Sequence, residues 1–369
     1  MAIRLQIYGM FGSRFSLGAV STAIAQVLKD EFPEIMLNNY LTVDERWAEL
    51  LGATPKRGRL GVTRFADRDL ERLEGHDRNA DVGVFIGPTS YAAPMLAGHR
   101  IRVAVVVCET TSISPRWVEG CNQCHLIVVP STYCKQAFLT SGVSKPIMVV
   151  NHGLEYEYRP YNDVHRRSDV FEFFNTFGVF APPQRKGCEE LIRSFLNAFR
   201  GRTDTQLRLR THLRGPVLDY SKKYRFDNLI ILEPLDFVPI EQYARLLSSV
   251  HCVVYPSRGE GFGLVPFQAI ACETPVIAPY ASGMTEYLSS EYATLIDTTG
   301  TSRGPSWDNQ PGYYYDIDEN DLTDKLIHVR ENWQQKKSQL ALHAPAFRQK
   351  FTWDNVLRPF TEAIRNLAS

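Results

Sequence analysis

Neither sign of charge is in excess in this chain. Lys and Arg together number 41, Asp and Glu together number 41, and the formal net charge over 369 residues is zero. A global electrostatic grip on nucleic acid or anionic lipid needs a positive surplus, so neither is indicated. Long apolar runs are missing too: none approaches the ~20 residues of a membrane-spanning helix. No basic amphipathic helix suggests surface attachment to a membrane. The opening Met1-Ala-Ile-Arg-Leu-Gln-Ile-Tyr8 is too short and interrupted for a secretory signal. Cysteine is sparse, and its odd count of seven argues against a disulfide framework and for reduced thiols in a cytoplasmic protein. No internal repeat or low-complexity segment stands out.

What is there has the composition of a globular protein, with 44% apolar and 22% charged residues. A chain of this length exceeds one ordinary core and suits two domains. Strands are predicted at residues 3–8, 82–86, 102–107, 126–129 and 147–150. Helical spacing fills residues 19–29 and 131–140, with Val20, Ile24, Val27 and Leu28 on one face. Near residues 155–168 a Tyr- and Arg-rich stretch interrupts the pattern, which then restarts. Strands are expected at 173–179, 207–211, 228–232, 252–255 and 276–278, and helices at 188–199, 240–249, 267–272, 319–330 and 353–367. Residues 298–314 read as a loop. Alternation of this kind predicts an α/β fold of parallel sheets covered by helices on both faces. Ligands are then expected at the carboxyl ends of the strands.

One segment concentrates the chemistry. The buried run Cys252-Val-Val-Tyr255 ends at Pro256, and the loop Ser257-Arg-Gly-Glu-Gly-Phe-Gly263 follows, with a helix starting near Pro266. Pro suits a first helical turn. Strand, glycine loop and helix N-terminus together bind anions: glycines let backbone N–H groups approach a phosphate and the helix dipole favours negative charge. The phosphate-facing amides would be those of Gly261, Phe262, Gly263 and Leu264. Glu260 would repel a phosphate, and a carboxylate there better accepts hydrogen bonds from sugar hydroxyls. Gln268, eight residues on, reaches a second polyol such as a ribose. Gly-x-Gly-x-Gly taken alone fits a connecting loop equally well.

The whole stretch from Pro256 to Ile277 closely resembles the donor-site signature of the retaining glycosyltransferase family 4, whose members have the GT-B fold. The family pattern is Glu, seven residues, Glu; this chain keeps the first as Glu260 and has Gln268 at the second. Phe177-Gly178 with Gln184-Arg185-Lys186-Gly187 resembles the family's Arg-Lys-Gly element, which holds the donor diphosphate. Many relatives carry an Arg directly after that strand's glycine; Val179 stands there, which shifts load onto Arg185 and Lys186. The loop from Gly9 to Gly18, with Gly12, resembles the glycine loop that faces the donor, and Val107-Cys-Glu109 resembles a strand-end segment near the catalytic centre. Asn151-His-Gly153 fits the family's hinge, where His152 reads as structural. Phe351-Thr-Trp-Asp354 resembles the start of the final helix.

The resemblance implies two doubly wound Rossmann-like domains facing across a cleft. They comprise residues 1–160 on the acceptor side and 161–350 binding the nucleotide sugar, with a terminal helix, 351–369, crossing back to the first domain. It implies transfer of a sugar, with retention, from a UDP- or GDP-linked donor to the hydroxyl of a glycan or small molecule. Glu109, Arg185, Lys186 and Glu260 are the catalytic candidates. The alternatives are a modified nucleic-acid base as acceptor and a non-catalytic partner subunit of the same fold. No cofactor beyond the donor and no essential metal is expected.

Three further patterns invite other chemistry. Cys121-Asn-Gln-Cys-His125 matches a c-type haem attachment motif, but no export signal accompanies it and no second ligand pair suits zinc. Asp316-Ile-Asp318 looks like a metal-binding Asp-x-Asp, yet it precedes a helix and is explained by capping. Lys56, Arg57 and Arg59 form a small basic cluster, read as a solvated loop or as a contact for an anionic acceptor.

Overall fold

Val82-Gly-Val-Phe-Ile86, Leu126-Ile-Val-Val129 and Val276-Ile-Ala-Pro279 are buried at every position rather than at alternate ones, as strands covered on both faces must be. The computed structural model describes residues 2–11, 16–39, 67–177, 182, 184–211, 223, 230–234, 238–304 and 310–369. They divide into two units. The first comprises Met1–Cys108, Ile113–Gly153 and Trp353–Ser369; the second comprises Glu109–Ser112 and Leu154–Thr352.

The first unit's sheet runs β2 (Glu34–Asn39), β1 (Arg4–Gly9), β3 (Val82–Ile86), β4 (Ile101–Val105), β5 (Leu126–Val129), β6 (Ile147–Val149), with every pairing parallel. Its helices are α1 (Ser16–Glu31), α2 (Arg68–Glu71), α3 (Thr89–Leu96), α4 (Pro115–Asn122) and α5 (Thr132–Thr140). Ser131 caps α5 by accepting from the Cys134 N–H, satisfying one orphan amide of the first turn. The C-terminal helix α11 (Trp353–Ala368) packs on α1; it buries Leu357, Phe360, Thr361 and Ile364 at helical spacing.

The second unit's sheet runs β12 (Thr294–Ile296), β11 (Val276–Pro279), β10 (Cys252–Val254), β7 (Phe171–Phe177), β8 (Thr205–Thr211), β9 (Ile230–Pro234), again all parallel. Around it lie α6 (Cys188–Phe199), α7 (Ile240–Ser249), α8 (Leu264–Ala271), α9 (Glu319–Glu331) and α10 (Trp333–Lys350). Leu191, Ile192, Phe195 and Phe199 of α6 meet Leu322, Leu326 and Val329 of α9 over Phe173 and Leu207.

Several observed elements lie outside the sequence-based expectations, β12 among them. Residues 298–302 and 314–317 are not loop: they pair as an antiparallel hairpin, β13 (Thr298–Ser302) with β14 (Tyr314–Ile317). Gly, Ser and Thr there mask strand character, and β13 is exposed along most of its length. β2 is unanticipated because it is an edge strand with mixed burial. α10 buries only Leu340, Ala344 and Phe347 in eighteen residues and carries Pro345, so its apolar period is faint.

Candidate active site

Strand order decides where a ligand can sit in the second unit. β10 neighbours β7 although β8 and β9 intervene in sequence, so the chain winds one way from β7 and the other way from β10. In doubly wound sheets the crevice at such a reversal, beyond the carboxyl ends, binds ligands. The two loops leaving those ends carry residues 184–187, before α6, and residues 255–263, between β10 and α8.

Arg185, Lys186 and Glu260 meet there, 3%, 8% and 6% exposed. Lys186 Nζ donates to Glu260 Oε1 at 2.5 Å and to the Tyr255 hydroxyl at 2.6 Å. Arg185 Nη1 donates to the same Oε1 at 3.1 Å and to the Gly259 carbonyl at 2.6 Å. The hydroxyls of Tyr255 and Ser257 donate to Oε1 at 3.0 and 2.5 Å. Two cations and two hydroxyls thus converge on one carboxylate oxygen. Burial opposes ionisation of Glu260, but Lys186 and Arg185 outweigh it and hold the carboxyl down at about 2. It stays ionised through the neutral range, so the Lys186 contact is an ion pair even though burial, with Arg185 alongside, pulls the lysine below its ordinary value. Arg185 is buried as well, but Glu109 and Glu260 raise it above its ordinary value.

Backbone geometry holds this arrangement. Gly187 has φ 64° and caps α6; a Cβ there would run into the Pro256 carbonyl oxygen. That positive φ and close approach admit only glycine without strain. It keeps the 184–187 turn against the strand end at Pro256, where the Arg258 N–H donates to the Arg185 carbonyl at 2.7 Å. Glu260 is fixed at both backbone ends: its N–H donates to Ser282 Oγ at 3.0 Å and its carbonyl accepts from the Gly283 N–H at 2.8 Å. Ser282 itself has φ 53°, a strained conformation for a non-glycine residue. Gly263 (φ 87°) caps α8 with no side-chain hydrogen bond, so that end is left to backbone amides, the arrangement that receives an anion. Pro266 lies in the first turn as expected. Phe262 turns its ring inward, 4.9 Å from Phe267 and 5.2 Å from Tyr287, so only its backbone can serve a ligand. Gln268 is half-buried one turn further along α8.

Glu109 reaches the same cluster from far away in sequence. Its Oε1 lies 2.9 Å from Arg185 Nη2, and its side chain is 32% exposed. Desolvation raises its carboxyl above the ordinary range; Arg185 opposes this and Glu260 adds to it. The hairpin holds this segment in place. The Tyr313 N–H donates to Thr111 Oγ1 at 2.9 Å and the Thr111 N–H to the Tyr313 carbonyl at 3.3 Å. Arg258 anchors the hairpin in turn, through the Tyr315 carbonyl at 3.0 Å, Ser302 at 2.5 Å and an ion pair with Asp316. Tyr255, Ser257, Ser282 and Arg258 carry no role in the sequence reading. The signal for Tyr255 and Ser257 is their place at the strand end, beside the glycine loop.

Other candidates fall elsewhere. Gly12, Gly178, Val179, Lys56, Arg57 and Arg59 lie outside the described residues. Cys121 and Cys124 are buried in the first unit; burial pushes the Cys124 thiol up to about 11, and His125 Nδ1 accepts from the Arg102 N–H at 3.1 Å. Asp318 caps α9 by accepting from the Asn320 and Asp321 N–H groups at 2.9 and 3.1 Å. Asp316 belongs to the hairpin, paired with Arg258, so capping explains only one of the two aspartates. His152 packs near Trp353, and burial lowers its pKa to about 4.

Residues 239–360, which include Glu260 and Gln268, match the family model described as family 4 glycosyltransferases in conflict systems. An uncharacterized glycosyltransferase of Methanocaldococcus jannaschii is 29% identical over 231 residues, 62% of this chain and 56% of that relative. Both matches are described as glycosyltransferases. The match spans little more than half of the archaeal relative's length. Among solved structures, HepE of Anabaena superposes with a TM-score of 0.70 at 14% identity, over 99% of this chain and 100% of that one. Sucrose-phosphate synthase of Thermosynechococcus elongatus gives 0.69 at 14% identity over 99% of both chains. The fold is therefore GT-B, as the signature around Glu260 implies. Among the described residues no helix is long and apolar enough to cross a membrane.

Proposed function

We propose that the chain is a nucleotide-sugar-dependent glycosyltransferase that moves a hexosyl or pentosyl unit from a UDP- or GDP-linked donor to an acceptor hydroxyl, with retention at the anomeric carbon. The observation that carries this is the buried Arg185–Lys186–Glu260 cluster at the strand reversal. HepE, which spans the whole chain in superposition, was solved with UDP-glucose and with UDP and glucose, and this supports a UDP-linked donor.

The donor's diphosphate takes Arg185, Lys186 and the amides at residues 261–264, while Glu260 accepts from sugar hydroxyls and Gln268 from the ribose. Charge develops on the leaving diphosphate as its bond to the anomeric carbon breaks. Fixed cations and amides in a dry site lower that barrier more than water does. The acceptor oxygen bonds to the anomeric carbon on the face the diphosphate leaves, and its proton passes to the departing phosphate oxygen or to Glu109. A carboxyl raised by desolvation is suited to taking a proton. The scheme calls on no metal: Arg185, Lys186 and the amides of residues 261–264 offset the diphosphate's charge.

The acceptor is a glycan or small molecule; the match to a family described in conflict systems keeps a modified nucleic-acid base beside it. The test is a nucleotide-sugar panel read by thermal shift, then acceptor screening with the best donor and NMR of the product anomer. A retained anomer from a UDP-sugar is expected. No nucleotide binding by calorimetry would favour the non-catalytic subunit instead, and an inverted product would overturn retention.

A further inference from the structure

A second pair of basic side chains lies in the second unit, and it is built differently from the first. Arg166 and Lys337 both approach Trp333 of α10. The Arg166 guanidinium carbon is 5.8 Å from the indole centroid and Lys337 Nζ is 5.3 Å from it. Among the described residues neither cation has a carboxylate within 4.0 Å. Arg166 Nε donates to the Val250 carbonyl at 3.3 Å, which leaves the rest of its donor fork unused by that bond. The indole is held from behind: Trp333 Nε1 donates to the His251 carbonyl at 2.7 Å, and its ring packs against His251 and Phe171. A fixed aromatic thus lies beside two like charges, which repel each other and would be stabilised by an anion between them. Burial lowers both groups; Arg166 lowers Lys337 further, and Glu273 partly opposes this.

Both cations line one concave site of about 210 Å³, with Pro160, Tyr161, Asn162 and Glu273 among its walls. Glu273 is the one carboxylate of that wall; it is engaged by Arg348 at 3.1 Å, so its charge is offset. Sites that enclose drug-sized ligands run to roughly 300–1,000 Å³. This one is too small for a whole nucleotide and suits a compact anion. A guanidinium fork beside an ammonium point charge matches the tetrahedral oxygens of a phosphate.

We propose that the pocket lined by Arg166 and Lys337, with Trp333 beside both cations, is a second anion site that takes a phosphoryl group, as free phosphate or as the head of a small phosphomonoester. It uses none of the residues assigned to the donor. The probes are inorganic phosphate and glycerol phosphate, titrated by calorimetry into wild type, Lys337→Gln and Arg166→Gln, with thermal melts as folding controls. Wild type is expected to bind saturably at millimolar concentration or below, and each variant to lose about tenfold or more, as removing one charge-assisted contact does. The tighter of the two probes identifies the source. Arg166→Gln removes a partly buried side chain; should it fail to fold, Lys337→Gln alone decides. Absence of saturable binding in wild type, or wild-type affinity in the folded variants, would overturn the proposal.

Discussion

The second unit contains two basic pairs that solve the same electrostatic problem in opposite ways. Arg185 and Lys186 are adjacent in sequence, deeply buried and neutralised by Glu260 and Glu109. Arg166 and Lys337 are far apart in sequence, less buried, and both lie near Trp333, with no carboxylate within 4.0 Å among the described residues and Glu273 further off in the same wall. A buried cation must be paired or it loses its charge, whereas a half-buried one can stay charged beside water and wait for a ligand. On the proposed function, the first pair is a preformed site whose own acid shares its cations with an arriving diphosphate. The second is open from the start.

The largest break in this comparison comes from removing the shared acid. Glu260→Ala leaves Lys186 buried without a carboxylate and Arg185 with Glu109 alone, and the loss of one partner from a buried pair costs about 3–5 kcal/mol. Urea unfolding is expected to show that loss, and a change under 1 kcal/mol would mean that the cations find water instead. The pH profile sharpens the point. A carboxyl depressed from 4.5 to about 2 adds stability in full above pH 4.5, and this contribution disappears as pH falls toward 2. Glu260→Gln should flatten the acid limb of stability in that window.

Lys186→Ala is expected to lower donor turnover, as kcat/KM, by roughly 10²–10³, the usual loss when one preorganised charge-stabilising group is deleted. Lys337→Gln should leave donor turnover at the wild-type level. Equal losses in both would erase the distinction between the pairs. Next in size, Gly187→Ala forces a side chain into a left-handed position against the Pro256 carbonyl and should cost at least ~1–3 kcal/mol, read by denaturant midpoint. The smallest effect is expected from Glu273→Gly. Glu273 occupies φ 57°, so glycine relieves about 1 kcal/mol of strain, while the lost Arg348 pair gives back a similar amount. Stability should change by less than ~1 kcal/mol, and phosphate affinity at Arg166 and Lys337 should rise as a carboxylate leaves the wall.

Much of this was legible in the sequence. Strands at 82–86 and 126–129 and helices at 188–199 and 240–249 coincide with the observed elements, because long uninterrupted apolar or amphipathic periods leave little choice of conformation. The glycine loop around Glu260 and the Arg185–Lys186 turn stood out through their resemblance to the family's donor-site signature; taken alone, the first fits a connecting loop and the second a solvated helix start. The hairpin β13–β14 did not stand out because β13 is mostly exposed; β2 alternates buried and exposed positions, but apolar Met36 on its exposed face and polar Asn39 on its buried face blur the period.

By itself, then, the sequence determined an alternating α/β chain with a glycine loop after the strand at 252–255 and a basic turn before the helix at 188–199, since those follow from local propensity and residue type. Only the tertiary structure decided that β7 and β10 lie side by side, bringing Arg185, Lys186 and Glu260 within hydrogen-bonding distance. It also decided that Glu109–Ser112 belongs with the second unit, held there by Tyr313, and that Arg166 and Lys337 share one indole. Those juxtapositions join residues remote along the chain, and they arise from strand order and packing, which no local pattern encodes.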